Sequence, residues 1–480
     1  MPVLDNLQPK KVFHYFEEIC SIPHGSRNTK QISDYCVKFA EEHGLEYYQD
    51  NDNNVIIIKE ASKGCENIEP VIIQGHLDMV CEKVPSSDID MENEGLKIGI
   101  DGDEIYADGT TLGGDDGIAV AMALAVLDDD TLTHPRIETV FTVDEEIGML
   151  GAVTIDVTPL KGKRLLNIDS EDEGIFTVSC AGGNVAKCTL PIKGNQYSGE
   201  AILLTITGLK GGHSGVEINK GRANANVLMG RLLQEVKKTC GLRILSVDGG
   251  LKDNAIPRES KAVIVVDCTN SLSDIIQKYE AVFKNEYSTS DPDVSVTYEN
   301  VNVTDKILQD DDTTNKIIYL LDCLPNGIQS MSMDIDGLVQ TSLNMGIVNT
   351  LTDSLEISFC VRSSVDTQKE MLNRRLYEMM TMIGGQTAIS GDYPGWEYKK
   401  DSSLRELLIQ IYEEQYGEKP RVEAIHAGVE CGMFSGKIQD LDCVSFGPNL
   451  TQIHTVRERM SISSVERVYK FLLEILKRIQ

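Results

Sequence analysis

Residues 73–80 read IQGHLDMV, and the apolar run that leads into them, Val71 to Ile73, is typical of a buried β-strand. Gly75 is a natural place for this strand to end. His76 and Asp78 are separated by one residue, so on an extended chain their side chains point the same way. Such a pair can bind a metal ion through the imidazole while the carboxylate orients the ring. The alternative is a strand-end histidine hydrogen-bonded to a turn aspartate.

Acidic side chains follow three further segments of this kind. They are Asp115 in the glycine-rich turn DGTTLGGDDGIA (108–119), Glu145 and Glu146 after IETVFTV (137–143), and Asp169 after RLLNI (164–168). Strands that alternate with helices predict an α/β fold with a mixed sheet flanked by helices. In such sheets, functional sites gather at the carboxyl ends of the strands, and we therefore expect these side chains to lie together.

The glycine-rich turn at 108–119 admits more than one interpretation. Such a turn before a buried helix can cradle phosphate, because helix N-termini attract anions. Asp115 and Asp116 lie where the phosphate would bind, however, and they would attract a cation instead. An acidic N-cap would explain one aspartate but not the surrounding glycines. The acids after IETVFTV could likewise form a solvated turn.

The composition excludes several classes of partner. The chain has 480 residues, which predicts two or three domains, and a net charge of −30 from 45 basic and 75 acidic residues. This charge argues against nucleic acid and anionic membrane. The twelve cysteines form no CxxC pair, so we expect reduced thiols that mostly fill the core. Without a signal-like start or a run of about 18 apolar residues, a cytoplasmic protein is expected.

The sequence pattern changes after Gly174 and returns to its first character near residue 401. Between these points, strand-like alternation is interrupted by helical patterns near 222–239, 271–284 and 366–383. We therefore predict one domain made of residues 1–186 and 390–480, and an inserted α+β domain at 187–389.

The strand-end residues, together with His454 in the loop IHTVRER (453–459), form the donor set of a two-metal site. Two ions about 3.5–4 Å apart need a bridging carboxylate, plus an imidazole and a carboxylate for each ion. Imidazole and carboxylate donors suit zinc, and also cobalt or manganese. A further carboxylate that is not a ligand is needed to accept the proton of the attacking water.

Six blocks of sequence, in this order and spacing, resemble the dinuclear zinc peptidases that include carboxypeptidase and aminoacylase relatives. The blocks are GHLDMV (75–80), TTLGGDDGIA (110–119), TVDEEIGMLGA (142–152), LLNIDSEDEG (165–174), GGHSG (211–215) and SFGPNLTQIHTVRE (445–458). Within that family the sequence is most similar to the bacterial aminoacyl-histidine dipeptidases, also called cytosol non-specific dipeptidases or peptidase D. The resemblance extends over nearly the whole chain.

The resemblance implies a role for each residue of the donor set. The metal ligands would be His76 and Asp169 on one ion, Glu146 and His454 on the other, and Asp115 bridging both. Asp78 would orient His76, and Glu145 would be the general base that activates a metal-bridging water and then protonates the leaving amine. The peptide bond between Asp115 and Asp116 is typically cis in such enzymes.

The resemblance also implies that the inserted domain is a lid for substrate binding or dimerisation. His213 would support the oxyanion, Asn254 and Arg362 would contact the C-terminal carboxylate, and Gly428 and Glu430 would line the backbone of the substrate. A turn histidine at 213 and a structural salt bridge at 362 are the alternatives, and His426 is expected to be structural. A homodimer is expected, and whether His213 serves its own or a partner's active site stays open.

The expected activity is metal-dependent hydrolysis of unblocked dipeptides, Xaa-His among them, with two divalent ions, first of all Zn²⁺. Aspartate rather than glutamate at position 169 favours a dipeptidase within the family that the sequence resembles. An N-acyl amino acid deacylase or a tripeptidase on the same scaffold is the alternative. A metal-bound scaffold without catalysis is a more remote one.

Overall fold

The structure is a computed structural model that describes residues 2–479, and the chain divides into two compact units. The first unit comprises Met1–Cys180, Tyr398–Ala424 and Val429–Gln480, and the second comprises Ala181–Glu397 and Ile425–Gly428. The predicted limits of the inserted domain, residues 187 and 389, lie inside the second unit. The segment Ile425–Gly428 has no counterpart in that prediction.

The chain contains eleven α-helices and twenty-three strands within residues 2–479. Up to residue 180 the elements are α1 (Lys10–Cys20), α2 (Lys30–Glu42), β1 (Glu46–Gln49), β2 (Val55–Lys59), β3 (Val71–His76), β4 (Ile98–Asp101), β5 (Glu104–Ala107), α3 (Gly114–Leu127), β6 (Ile137–Thr142), α4 (Leu150–Thr154), β7 (Arg164–Asn167) and β8 (Ile175–Cys180). From 181 to 397 they are β9 (Gly182–Pro191), β10 (Gly194–Thr207), β11 (Gly212–His213), a 3-10 turn (Ile218–Lys220), α5 (Ala225–Thr239), β12 (Leu242–Gly249), β13 (Ala255–Ile256), β14 (Ser260–Val266), α6 (Thr269–Glu286), β15 (Ser295–Gln309), α7 (Asp311–Cys323), β16 (Gly327–Met331), β17 (Val339–Thr350), β18 (Ser354–Ser363), α8 (Asp366–Met382) and β19 (Gln386–Tyr393). The remaining elements are α9 (Ser403–Tyr416), β20 (Arg421–Ile425), α10 (Glu430–Lys437), β21 (Asp442–Ser445), β22 (Leu450–Thr451), β23 (Arg459–Ser461) and α11 (Ile462–Arg478).

The first unit contains an eight-stranded mixed sheet in the order β1-β2-β6-β3-β7-β21-β8-β20, and this confirms the predicted fold class. Strands β6, β3, β7 and β21 are parallel to one another, whereas β1, β2 and β8 pair antiparallel to their neighbours. β3 and β6 are buried along their whole length, as their continuous apolar sequence predicts. The carboxyl ends of the parallel strands therefore lie at one edge of the sheet.

Helix α3 explains why the glycine-rich turn reaches this edge. Its residues from Asp116 to Leu127 are all buried, and it contacts α1 and β3. A helix that is apolar on every side must lie inside the core, where its N-terminus can be fixed. Strands β4 and β5 pair antiparallel around the turn at Asp101-Gly102, and they belong to a small sheet in the order β22-β23-β5-β4.

The second unit is built on a nine-stranded sheet whose path is β15-β10-β14-β12-β17-β18-β9-β19, with β16 paired to β17. Helices α5, α6, α7 and α8 pack against the sheet and share one hydrophobic core with it. β11 and β13 form a separate two-stranded pair. This unit thus has its own α+β core, of the class that the sequence predicts for the inserted domain.

Two expectations for this region were wrong. The helical patterns predicted for this region do not include α7, which follows the N-cap Asp310, whose carboxylate accepts the N–H of Thr313. The cysteines are not all reduced, because Cys240 and Cys268 form a disulfide between the end of α5 and the start of α6, with Cα atoms 5.4 Å apart. Most of the other cysteines are buried thiols, as expected.

Among residues 2–479, no helix is both long and apolar enough to cross a membrane.

Candidate metal centre

Three of the predicted metal ligands, His76, Glu146 and Asp169, lie at or just after the ends of neighbouring strands. His76 is the last residue of β3 and pairs with Thr142, the last residue of β6. Gln74 pairs in the same way with Asn167, the last residue of β7. Since the three strands are parallel, the loops that carry Glu145, Glu146 and Asp169 leave the sheet beside His76.

Asp115 lies between the two predicted histidines. Its Oδ1 is 3.2 Å from Nε2 of His76, and its Oδ2 is 3.1 Å from Nε2 of His454. Asp169 Oδ1 lies 3.6 Å from His76 Nε2, and Glu146 Oε1 lies 2.9 Å from His454 Nε2. The five residues therefore form two groups that share Asp115. The Asp115–Asp116 peptide bond is cis, as the resemblance implied.

Three sets of donors in the described part of the chain are close enough to hold an ion, with ligand atoms within 4.8 Å of one another. They are His76 with Asp116 and Asp169, His76 with Glu145 and Glu146, and Asp115 with Glu146 and His454. Imidazole and carboxylate donors without thiolates fit zinc, cobalt or manganese. Glu146 Oε1 is buried and lies 2.9 Å from His454 Nε2, which places a carboxylate oxygen and an imidazole nitrogen side by side, as a shared cation requires.

The charges around Asp115 and His454 stabilise each other. Burial alone would raise the pKa of Asp115, but the hydrogen bonds with His454 and His76 outweigh it and hold that pKa well below its usual range. The same bonds with Asp115 and Glu146 raise the pKa of His454 to about 10. Burial raises the pKa of Asp169 to about 6, against the opposing effect of His76. A site with this surplus of carboxylates favours positive charge.

Asp78 contacts both halves of the centre. His76 Nδ1 lies 2.8 Å from the main-chain carbonyl of Asp78 and 3.6 Å from its carboxylate, so the closer partner of the ring is the carbonyl. The carboxylate instead accepts the N–H of Glu145 at 3.0 Å, the N–H of Glu146 at 3.4 Å and the hydroxyl of Ser26 at 2.7 Å. Asp78 is buried. Its carboxylate therefore fixes the backbone that carries the two glutamates.

Glu145 lies in a partly buried and negatively charged environment. Burial raises its pKa well above the usual value, and the negative charges of Asp169 and Glu430 add to this effect against the opposing charge of His76. Burial and the neighbouring carboxylates therefore favour the protonated form of this side chain. Glu145 is three residues after Thr142, the last residue of β6.

A buried polar network lies beneath the strand ends. Glu430 is 0% exposed, and its Oε2 accepts hydrogen bonds from Gln74 Nε2 and Thr142 Oγ1, each at 2.6 Å. Gln74 Oε1 in turn accepts from Asn167 Nδ2 at 2.7 Å. Burial raises the pKa of Glu430 to about 8. Glu430, predicted to line the substrate, thus joins β3, β6 and β7, and its role in substrate binding stays a prediction.

Arg362, a predicted substrate contact, lies in the second unit on strand β18, and His426 lies nearby. Arg362 is buried, pairs across the strands with Ser342 of β17, and donates through Nη1 to the Tyr393 hydroxyl at 3.0 Å. Ser342 also contacts His426 Nε2 at 2.8 Å, which agrees with a structural role for His426. Nε of Arg362 has no hydrogen-bond partner within residues 2–479.

His213 and Asn254 lie on or next to the β11–β13 pair, where the N–H of Ser214 donates to the carbonyl of Asn254 at 2.9 Å. Nδ1 of His213 accepts the N–H groups of Gly215 and Val216, both at 3.2 Å. Burial and the Arg362 charge lower the pKa of His213. A neutral ring whose Nδ1 accepts carries its proton on Nε2, which is then a donor.

Asn254 is exposed and Gly428 is half-buried. Gly428 is the last residue of the segment Ile425–Gly428. The N–H of Ala181 donates to the carbonyls of Ile425 and Ala427 and so joins this segment to the start of the second unit.

Sequence reasoning named Asp116 only as a carboxylate that would attract a cation beside Asp115, and it missed Glu458 entirely. Asp116 is buried, and its Oδ2 accepts the N–H of His76 at 3.2 Å. Glu458 is buried against the glycine-rich turn. Both lie inside the six blocks, and Glu458 is four residues after His454. Their position in those blocks could have marked them as residues of the site. It gave no indication, however, of the groups to which they are hydrogen-bonded.

Comparison with known proteins agrees with this arrangement. The sequence matches the family described as peptidase family M20/M25/M40 over residues 72–478. It is 36% identical to the cytosol non-specific dipeptidase of Escherichia coli (strain K12), over 100% of this chain and 99% of that protein.

Solved structures give the same result. The aminoacylhistidine dipeptidase of Vibrio alginolyticus superposes with a TM-score of 0.94 at 36% identity, over 99% of this chain and 98% of the other. The aminopeptidase PepT of Bacillus cereus, at 16% identity and a TM-score of 0.56 over 98% and 99% of the two chains, shares the fold. The resemblance carried by the six blocks is thereby confirmed, and the chain belongs to peptidase family M20/M25/M40 and is a hydrolase of that family.

Proposed function

We propose that this protein is a cytoplasmic, dinuclear metallopeptidase that hydrolyses unblocked dipeptides, Xaa-His among them. The observation that carries the proposal is the position of Asp115, which directs one carboxylate oxygen to His76 and the other to His454. Asp169 and Glu146 complete the two groups of ligands. Two divalent ions bound there, first of all Zn²⁺, would act as Lewis acids and make water a nucleophile near neutral pH.

The side chains of this chain supply the proton transfers. Glu145 accepts the proton of the attacking water and then donates it to the nitrogen of the leaving amino acid, for which its raised pKa is suited. Asp78 holds the N–H groups of Glu145 and Glu146, so that the base and the neighbouring ligand keep separate directions. The network of Glu430, Gln74 and Asn167 keeps the strand ends below them in place.

The second unit is proposed to be the substrate-binding lid. A donor at His213 Nε2 suits an oxyanion, and Arg362, with its unpaired Nε, suits a free C-terminal carboxylate. Asn254 and Gly428 are proposed to bind the remaining polar groups of the peptide. The names of the two relatives at 36% identity, a non-specific dipeptidase and an aminoacylhistidine dipeptidase, support short unblocked peptides as substrates. A homodimer is part of the same proposal.

The proposal is tested with a substrate panel on protein freed of metal by chelation and reconstituted with Zn²⁺, Co²⁺ or Mn²⁺. We expect dipeptides, including Xaa-His, to be cleaved faster than tripeptides, N-acetylated amino acids and dipeptide amides. A preference for the N-acetylated compounds would replace the proposal with a deacylase. If metal-replete protein cleaves none of these compounds, the remaining hypothesis is a metal-bound scaffold without catalytic activity.

The division of roles between the adjacent glutamates is tested with a matched pair of variants. Glu145→Ala is expected to bind two ions per chain and to lose about 10²–10⁴-fold in kcat. Glu146→Ala is expected to bind fewer ions when the protein is dialysed and its metal content is measured. If Glu145→Ala loses metal while Glu146→Ala retains it, the two roles are reversed.

A further inference from the structure

The glycine-rich turn before α3 directs its main-chain N–H groups toward one point. Gly113 is in the left-handed region with φ +66°, and Asp115 and Asp116 depart from helical geometry. Four successive residues, Leu112 to Asp115, therefore present N–H groups that the helix does not use. Such a set of donors at the N-terminus of a helix is an anion-binding arrangement.

The anion is supplied by the protein itself. Glu458 Oε2 accepts the N–H groups of Leu112 at 2.7 Å and Gly113 at 3.1 Å, and Oε1 accepts those of Gly114 at 2.8 Å and Asp115 at 3.4 Å. Glu458 is only 3% exposed. A side chain at residue 114 would interfere, because its Cβ would lie 2.5 Å from Leu450 Cδ2 and 3.3 Å from Glu458 Oε1. The turn that looks like a phosphate cradle in the sequence is thus filled by a carboxylate from 344 residues away.

The same glutamate belongs to the loop that carries the second histidine. His454 is four residues before Glu458, its side chain is 44% exposed, and its φ is +58°. Little side-chain packing therefore holds this imidazole against Asp115. Glu458 connects the two loops directly, because the last of its four donors is the N–H of Asp115 itself.

We propose that Glu458 is a positioning residue that fixes the His454 loop to the Asp115 loop and so sets the spacing of the donors Asp115, Glu146 and His454. The inference rests on the two-metal site of the proposed function. It assigns to Glu458 no contact with the substrate. Carboxylates that hold metal ligands in place typically contribute about 10–100-fold to metal affinity.

The test is equilibrium dialysis of metal-free protein against graded Zn²⁺, with the number of bound ions measured for the wild type and for Glu458→Gln. The amide keeps the size of the side chain but turns an NH₂ group toward two of the four N–H donors. We expect the weaker of the two binding steps to lose about 10–100-fold in affinity. Thermal melting of both proteins in chelator gives the metal-free stability separately.

Glu138→Gln is the matched control. Glu138 is fully buried and accepts the N–H groups of Lys161 and Gly162, but it lies near the start of β6, away from the ligands. We expect it to lower the metal-free melting temperature while both binding steps keep their affinity. If Glu458→Gln does not yield folded protein, Glu458→Asp is used in the same comparison, since a shorter carboxylate reaches fewer of the four donors.

Two ions bound to the Glu458 variant with wild-type affinity would overturn the positioning role. An equal loss of affinity in Glu138→Gln would do the same, because the effect would then be general destabilisation. Wild-type protein that binds no ions would overturn the proposed function as well, so the two failures are distinguishable.

Discussion

Asp115 and Asp78 show how a single carboxylate can organise a crowded site. Asp115 uses its two oxygens in two directions, one toward His76 and one toward His454. Asp78 uses its oxygens on the backbone, where it accepts the N–H groups of Glu145 and Glu146. Two adjacent glutamates can have different roles only if the backbone between them is fixed, so that their side chains point in different directions. Asp78 is thus important for the glutamates as well as for His76.

Substitution of Asp78 by asparagine should lower kcat about 10–100-fold while the protein remains folded, because an NH₂ group would face N–H donors. Ser26→Ala, which removes only the hydroxyl partner of the same carboxylate, should cost less. Steady-state kinetics with a dipeptide, together with the metal content of each variant, measures both effects. Wild-type kcat in Asp78→Asn would show that the glutamate backbone is held by other contacts.

The strands that carry the site could be predicted from the sequence, whereas the loops around them could not. Apolar runs located β3, β6 and β7, and strand ends in a parallel sheet share an edge, so His76, Glu145 and Asp169 were expected together. The contacts of Glu458 with Gly114 join residues 344 apart, and no local pattern reports such a pair. Helix α7 was missed because its apolar residues lie within a long region of strands.

The turn between β11 and the 3-10 turn at 218–220 gives a pH-dependent prediction. Hydrogen bonds from Lys220 and from the N–H of His213 lower the pKa of Glu217 from 4.5 to about 2. Because the pKa is lower in the folded state, ionised Glu217 stabilises the fold above about pH 4.5, and this contribution is lost as the pH falls toward 2. Glu217→Gln should therefore be less stable than the wild type near neutral pH.

Urea unfolding at a series of pH values measures this difference in the free energy of unfolding. It should stay constant from pH 7 down to about 5 and shrink at lower pH. Glu299→Gln, which removes an exposed carboxylate of β15, is the comparison. A difference for Glu217→Gln that grew on acidification would contradict the sign of the pKa shift.

At the scale of the whole molecule, each unit has a sheet and a core of its own. The second unit buries apolar residues of α5, α6, α7 and α8 against its nine strands. All the candidate metal ligands lie in the first unit. The surplus of negative charge in the chain, −30 overall, also includes the carboxylates of this centre. Bound cations should therefore stabilise the first unit in particular.

Removal of metal tests this. Ions that bind only the folded state raise the free energy of unfolding, by about 2.7 kcal/mol for one site at a hundred times Kd. Chelation should lower the melting temperature and increase amide hydrogen exchange at residues 112–116, 143–146 and 452–458. Exchange in β9 and β18 of the second unit should change little. In the double variant that carries both His76→Ala and His454→Ala, the chelator should change neither the melting temperature nor the exchange at these residues. An equal change in the double variant would point to a cause other than metal loss.

The contact between Glu458 and the glycine-rich turn also has a consequence for biosynthesis. The turn is translated more than 300 residues before the carboxylate that fills it, and His454 is made only four residues before that carboxylate. A nascent chain that has reached α3 or β7 already holds His76 and Asp115, yet four N–H groups of its turn lack their partner. On the ribosome, the centre is completed only after both units have been synthesised, so a truncated chain lacks the assembled pair of ligand groups.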